Sequence, residues 1–475
     1  MSHAADLPDP EYLPRRTVAE RVARGASLRD EVPLEHHATW EVPSGRPDPI
    51  AVLERQGEHR DPALLPIRYG RMASSAFAFY RGGAAIMAND LSGTPVSGLR
   101  AQLCGDAHLL NFGLFDTPER SLVFGLNDFD ETLPGPTEWD VKRLAASIEI
   151  AGRDLTFTAA ERTAAVTACA RAYREALHAF AAMRNIEVWY ARMSAEELRD
   201  RLAATGDRAT AKEAKKRVRQ ALQRDHLRAF DKLIEHDDGK LRFVERPPLL
   251  TPAEDLLDEH GREIYVETLR TQLREYRGSL PPDRRSLIES YRFVDLARKV
   301  VGVGSVGTRA WVVLLMGRDV GDPLILQLKE AQRSVLAPYA GDVEHGSQGR
   351  RVVEGQRLMQ ATSDHLLGWT HQAGFDGQAR DFYVRQLWDG KASIDVTHLT
   401  PAGLRVYAES CGWTLARGHA RSGDRIAMAA YAGEDGGYDD AMAAFASAYA
   451  DTNEQDHALL VEAIASGRLE ALDGV

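Results

Sequence analysis

Between Gln102 and Leu144 the chain gathers carboxylates and amides at loop-like positions beside short apolar runs. Asp106 and Asn111 fall in QLCGDAHLLNFG, and Asp128 and Asp130 follow the apolar segment LVFGL. LVFGL (Leu122 to Leu126) reads as a buried strand. The acidic pair stands at its C-terminal end, where loops held by a rigid scaffold commonly build sites. Clustered carboxylates repel one another and are costly to bury unless a cation or hydrogen-bond donors compensate. A hard divalent cation carrying phosphate oxygens meets that need, because magnesium favours oxygen ligands and usually takes one or two protein carboxylates. Asp128 and Asp130 are therefore candidate metal ligands, and Asp106, His108 and Asn111 stand beside them as further candidate site residues. One Asp–Asn pair alone reads better as turn capping. The ordered set Asp106, Asn111, Asp128 and Asp140 favours a site.

A second block carries complementary chemistry. VDLARKVVGVGSVGTRAWVVLLMGRD reads as strand, glycine-rich turn, strand. Gly302, Gly304 and Gly307, with Ser305 among them, free the backbone so that successive N–H groups can cradle phosphate. Such a turn is a weak signal alone, since many hairpins carry one. PLILQLKEA (Pro323 to Ala331) puts Lys329 within an apolar strand, where a lysine must snorkel or meet an anion. RRVVEGQRLMQ then reads as a helix carrying Glu354. Arg71 and Arg81 are also unexplained; phosphate binding and ion pairs that orient their segment are equal readings.

The elements that must position these residues are legible in outline. At 475 residues the chain can bury a large core and suggests two or more domains or lobes. A net charge of −11 argues against a mainly electrostatic grip on nucleic acid, and the basic run Lys212 to Arg228 reads as a solvated helix face. Cys104, Cys169 and Cys411 match no zinc spacing and suggest buried thiols in a reducing compartment. Cys104 reads as a buried strand residue rather than a nucleophile. Neither a signal peptide nor a bilayer-length apolar run is evident, so the expectation is a cytoplasmic protein without membrane contact. Residues 1 to about 60 read as a surface arm with a short helix. Helices are expected over VKRLAASIEIAGRDL, over Thr158 to Ala182 with Thr158 and Glu161 as a capping box, and over residues 195 to 235. Pro247-Pro248 and Pro281-Pro282 punctuate a loop-rich region. Arg380 to Asp389 reads as a strand, Leu404 to Arg421 as a helix whose His419 is better read as structural than catalytic, and Tyr438 to Ala465 as closing helices.

Gly105-Asp106-x-His108-x-x-Asn111 resembles the catalytic loop of protein kinases, and that of aminoglycoside and choline kinases more closely. In those enzymes a strand, a metal-binding aspartate and an aspartate opening a helix follow; here these would be LVFGLN, Asp128-Phe129 and Trp139-Asp140, and the resemblance implies that Asp106, with His108, is catalytic and that Asn111 binds metal with Asp128 and Asp130. Glycine turn, strand lysine and helix glutamate are similar to a kinase small lobe. That resemblance implies that Lys329 holds nucleotide phosphates, that Glu354 (with Glu330 as a weaker rival) orients it, and that Arg380 to Asp389 is the hinge. GDAHLLNFG, NDFDETLPGPTEWDVKRLAAS, VVGVGSVGTR, LQLKEA, VVEGQRLMQ and FYVRQL together closely resemble the bacterial domain-of-unknown-function 2252 family, from about Tyr69 onward. That family is grouped with protein-kinase-like folds.

In ordinary kinases the glycine loop and lysine precede the catalytic loop; here they follow it by about two hundred residues. Either the fold is circularly permuted, which surface-lying termini permit, or the kinase analogy fails for one block. The expectation is a two-lobed, kinase-like α+β fold. An arm (1–60) precedes a catalytic-loop block and helical lobe (61–289), a small β-rich nucleotide-binding lobe (290–392) and C-terminal helices (393–475). The implied activity is ATP- and magnesium-dependent phosphoryl transfer to a hydroxyl of a small molecule or protein. Alternatives are a nucleotide-binding protein without catalysis and AMP transfer. A metallophosphoesterase ranks lower, because Gly-Asp-x-His lacks the accompanying Gly-Asn-His element.

Overall fold

Two sequence periods build the architecture: runs alternating or continuous in β-branched and aliphatic residues form antiparallel sheets, and three-to-four spaced runs form the helices that cover them. The computed structural model describes residues 16–222, 226–237, 240–256, 259–300, 306–341, 346–373, 378–387 and 391–472. The strands are β1 (Arg100–Leu103), β2 (Phe112–Asp116), β3 (Leu122–Leu126), β4 (Leu133–Pro136), β5 (Met193–Ser194), β6 (Ile234–Asp237), β7 (Lys240–Phe243), β8 (Leu250–Pro252), β9 (Arg292–Lys299), β10 (Ala310–Met316), β11 (Pro323–Glu330), β12 (Gly368–Ala373), β13 (Ala379–Gln386) and β14 (Ala392–Ser393). The α+β class is as expected.

The largest sheet has the order β12-β13-β11-β10-β9-β8, with antiparallel neighbours throughout. Strand β11 is buried along its whole length because both faces are covered. Leu324, Leu326 and Leu328 pack with Tyr276 and Leu280 from the helix Glu259–Ser279 and its end, while Ile325 packs with Ala229 and Leu233 of the helix His226–Leu233. Strand alternation then puts Gln327 and Lys329 on the Ile325 face, where the apolar cluster stops and a cavity begins. Strands β9 and β10 flank the glycine-rich stretch; Gly302, Gly304 and Ser305 lie outside the described residues.

A second sheet, β14-β2-β3-β5, and the pair β1-β4 carry the acidic loops. Behind them lies the helical core. Thr158 caps the helix Ala159–Ala182 in a capping box with Glu161, as the sequence predicts. That helix lies along the helix Pro401–Ser422 so closely that a Cβ on Gly412 would sit 2.2 Å from the Cys169 carbonyl oxygen. Residues 437–465 form one helix, Gly437–Ala465, rather than several. Its Phe445 and Tyr449 close over Trp40. Helical structure ends at Leu233 rather than 235, where β6 starts.

The described part of the N-terminal segment is not a surface arm. The helix Val18–Glu31 docks through Arg29, which donates to the carbonyls of Tyr431 (2.8 Å) and Ala430 (2.7 Å). The helix Pro49–Gly57 buries Ile50 and Leu53 against Leu460. Arg46 joins the two ends of the chain by ion pairs to Asp90 (2.8 Å) and Asp456 (2.5 Å).

Candidate functional site

The loop after β1 is shaped by one glycine and one aspartate. Gly105 has φ +83°, and a Cβ there would lie 2.3 Å from the Glu131 carbonyl oxygen, so a side chain fits neither sterically nor conformationally. Asp140 stands in the first turn of the helix Thr137–Asp154 and accepts from the N–H groups of Cys104 (2.8 Å) and Gly105 (3.0 Å). His419 Nε2 lies 3.3 Å from the same carboxylate, and its Nδ1 lies 2.8 Å from the Tyr173 hydroxyl. Asp140 and His419 thus position the loop from behind. Burial pushes the Cys104 thiol far above its usual range, consistent with a structural residue.

Asn111 braces the two acidic loops together. Its Nδ2 donates to the carbonyls of Asp106 and Asp128 (both 3.0 Å), and its Oδ1 accepts from the Asp128 N–H at 2.6 Å. Only 2 % exposed, it sets the spacing of the carboxylates more directly than it offers a ligand oxygen.

Asp106 projects into the cavity. Arg143, three residues beyond Asp140 on the same helix, grips its Oδ1 with two N–H groups at 2.9 and 2.6 Å. The Arg143 guanidinium also stacks over Tyr80, 4.1 Å from the ring centre. His108 Nε2 is 3.8 Å from Asp106 Oδ2. Burial pushes the His108 imidazole down to about 3, so it is neutral near pH 7.

Lys329, only 3 % exposed, reaches the acidic loop from β11. Its Nζ makes an ion pair with Asp130 Oδ2 and lies 3.5 Å from Asp128 Oδ1. Tyr383, its cross-strand partner on β13, donates its hydroxyl to Asp130 Oδ1 at 2.8 Å. These carboxylates outweigh desolvation and hold the Lys329 ammonium charged. Glu354 is not brought to Lys329. It lies on the outer face of the helix Gln348–Met359, paired with Arg350 at 2.7 Å. The inward residue of that helix is Arg351, which donates to the carbonyls of Thr132 (2.6 Å), Asp130 (2.8 Å) and Gln332 (2.8 Å). The expected glutamate is therefore replaced by an arginine that fixes the acidic turn. Glu330 turns to Arg309 and Arg380 instead.

These groups share one cavity of about 280 Å³, whose walls include Arg60, Arg81, Asp106, Asp128, Lys329 and Arg385. His108, Asn111 and Asp130 also line it. Gly307, the described end of the glycine turn, has φ +88° and accepts from the Asp61 N–H at 2.8 Å. Glu131, missed in the sequence, also faces the cavity, and burial pushes its carboxyl up to about 7. Arg143 was findable, since Asp140 and a residue three positions on share a helix face. Tyr383, Arg60 and Arg351 had no local signal.

Among the described residues no group of three or more His, Cys, Asp or Glu side chains is placed to hold a metal ion. Asp128 Oδ1, however, is a buried carboxylate oxygen with no hydrogen-bond partner. That fits a cation whose remaining ligands are phosphate oxygens and water. Both Asp130 oxygens are engaged, so Asp128 is the better metal ligand.

A family model described as an uncharacterized protein conserved in bacteria (DUF2252) matches residues 60–463. The chain belongs to the DUF2252 family. The match spans Arg60, the acidic loops, Lys329 and Arg351, so the cavity wall apart from Gln56 lies within the DUF2252 region. No curated protein and no solved structure matches the chain. Among the described residues, no helix of this DUF2252 chain is long and apolar enough to cross a membrane.

Proposed function

We propose that the protein is an ATP- and magnesium-dependent phosphotransferase acting on a hydroxyl group, built as a kinase-like arrangement whose nucleotide lobe follows the catalytic loop in sequence. The observation that carries this reading is the meeting of Lys329 with Asp128 and Asp130 in the cavity that also holds Asp106. Each half is useless for phosphoryl transfer alone. The brace by Asn111 and the backbone grip of Asp140 support it, because a transfer that relies on positioning needs loops fixed from behind.

In this reading Lys329 neutralises nucleotide phosphates, exchanging Asp130 for phosphate oxygens. Asp128, with Asp130 as second carboxylate, holds magnesium. That ion supplies charge neutralisation across the transferred phosphoryl group. Asp106 orients the acceptor hydroxyl and takes its proton on Oδ2, because Oδ1 is occupied by Arg143. Neutral His108 excludes water beside it.

The Arg143 grip also favours a second reading, a nucleotide-binding protein without turnover, since two N–H groups already hold one carboxylate oxygen of Asp106. Incubation with ATP and magnesium, followed by phosphorus NMR, separates the readings. Slow release of ADP that is lost in Asp106→Asn supports phosphoryl transfer; AMP indicates adenylyl transfer; binding with neither product supports the second reading.

A further inference from the structure

Several buried arginines among the described residues are consumed by partners. Arg143 is taken by Asp106, Arg174 by Asp439, Arg46 by Asp90 and Asp456, and Arg351 by three carbonyls. Two arginines that line the cavity are not. Arg60 is 9 % exposed; its Nη1 donates to the Val306 carbonyl at 2.5 Å, but its buried Nε has no partner. The buried Nε of Arg81 likewise has no partner. Neither forms an ion pair with a carboxylate among the described residues. A third guanidinium, Arg68, lies behind them at 0 % exposure. Its Nη2 donates to Gln56 (2.9 Å) and the Gly82 carbonyl (3.2 Å), while its Nε and Nη1 are without partners.

Desolvated guanidinium groups without a carboxylate partner are costly, and an oxyanion in the cavity that Arg60 and Arg81 line would meet the two of them, Arg68 standing outside the lining. Burial weakens the charged forms of Arg60 and Arg81, while Asp130 and Glu131 beside the first and Asp106 beside the second favour them. The two side chains come from the segment ahead of β1, whereas Lys329 comes from β11. They therefore add a second cationic wall to the cavity, which Arg60 joins to the described end of the glycine turn through the Val306 carbonyl. Arg81 interacts electrostatically with both Asp106 and His108, so it stands on the acceptor side of the cavity.

We propose that Arg81 and Arg60 form an oxyanion subsite for the acceptor, which is a small hydroxylated molecule carrying a phosphate or carboxylate near the hydroxyl presented to Asp106. This names the acceptor class of the phosphotransferase reading and rests on it for the word acceptor, though not for the subsite. Gln56, on the same wall, is placed to add a neutral donor.

The test is calorimetric titration of the full chain with orthophosphate, D-glycerate and glycerol, each with and without saturating ADP–magnesium. At least one anion is expected to bind with nucleotide present, and glycerol is not. Arg81→Gln should weaken that anion at least about tenfold, the scale of losing a charge-assisted contact, while Arg81→Lys should lose less. Circular dichroism and ADP–magnesium binding of Arg81→Gln report whether its fold is intact. If ADP–magnesium does not bind the wild type, the phosphotransferase reading fails, and the nucleotide-free titrations still decide the subsite. Three results overturn the inference: neither anion binding at tens of millimolar, folded Arg81→Gln binding the anion like wild type, or anion binding abolished by ADP–magnesium. The last would assign the arginines to the nucleotide.

Discussion

Replacing Lys329 by methionine separates two roles that one side chain fills. The aliphatic stem is kept, so the packing of β11 is largely retained, but the ammonium between Asp130 and Asp128 is lost. Removing one partner of a fully buried pair costs about 3–5 kcal/mol. Here the Asp128 and Asp130 side chains are 46 % and 26 % exposed, so water screens the carboxylates left behind. The expected loss is about 1–2 kcal/mol. Ligand linkage is the second readout. At a hundredfold excess over Kd, ATP–magnesium should stabilise the wild type by about 2.7 kcal/mol, and a tenfold weaker variant by about 1.4 kcal/mol under the same conditions. Magnesium alone should move in the other direction. It competes with Lys329 for the same carboxylates, so it should stabilise Lys329→Met more than wild type. Urea unfolding followed by circular dichroism, without ligand, with magnesium and with ATP–magnesium, gives all three numbers. A wild-type midpoint in the variant, or an equal ATP–magnesium increment in both proteins, would refute the role given to Lys329.

Asp106→Asn should retain ATP–magnesium binding and lose turnover by about two to four orders of magnitude. Asp128→Asn should instead weaken magnesium-dependent binding itself; identical binding profiles for the two variants would count against separate roles. Gly105→Ala should cost more than about 1 kcal/mol and lower activity by shifting the Asp106 loop, because φ is +83° and the Glu131 carbonyl is 2.3 Å from the new Cβ; a wild-type urea midpoint would contradict this. Acid stability has a definite sign. His108 and His37 are pushed down from 6.5 to about 3 by burial, so the unfolded chain takes protons that the folded one refuses. Stability is complete above about 6.5 and falls toward 3, by up to about 1.4 kcal/mol per pH unit for each histidine. Glu131, raised to about 7, acts in the opposite sense between roughly 7 and 4.5. The decisive comparison is therefore wild type against His108→Gln, which should show the shallower acid decline; parallel curves would refute the neutral, buried assignment.

What the sequence disclosed depended on range. LVFGL and PLILQLKEA were legible as strands because a continuous aliphatic run fits a covered strand, and Lys329 stood out as the one cation in such a run. The capping box at Thr158 is a three-residue pattern and was equally plain. The acidic loops were visible through their spacing, and the structure gathers Asp106, Asn111, Asp128 and Asp130 around one cavity. The partners of these residues were not visible. Tyr383 meets Lys329 through strand register, and Arg351 meets the Asp130 turn across more than two hundred residues. Motif order pointed to Glu354, but helix phase decides: Arg351, Val352, Gly355 and Gln356 share the buried face, and Glu354 falls outside it. The N-terminal segment departs from the expected arm because its partners are distant in sequence: Arg46 pairs with Asp90 and Asp456, and Ile50 and Leu53 pack against Leu460.

The most direct measurement is isothermal titration of the protein with ATP at fixed magnesium, repeated in EDTA. The expected result is a single site that requires magnesium and weakens at least about tenfold in both Lys329→Met and Asp128→Asn. No heat and no change in unfolding midpoint at millimolar ATP–magnesium would contradict the proposed nucleotide site, as would binding indifferent to EDTA and to both substitutions.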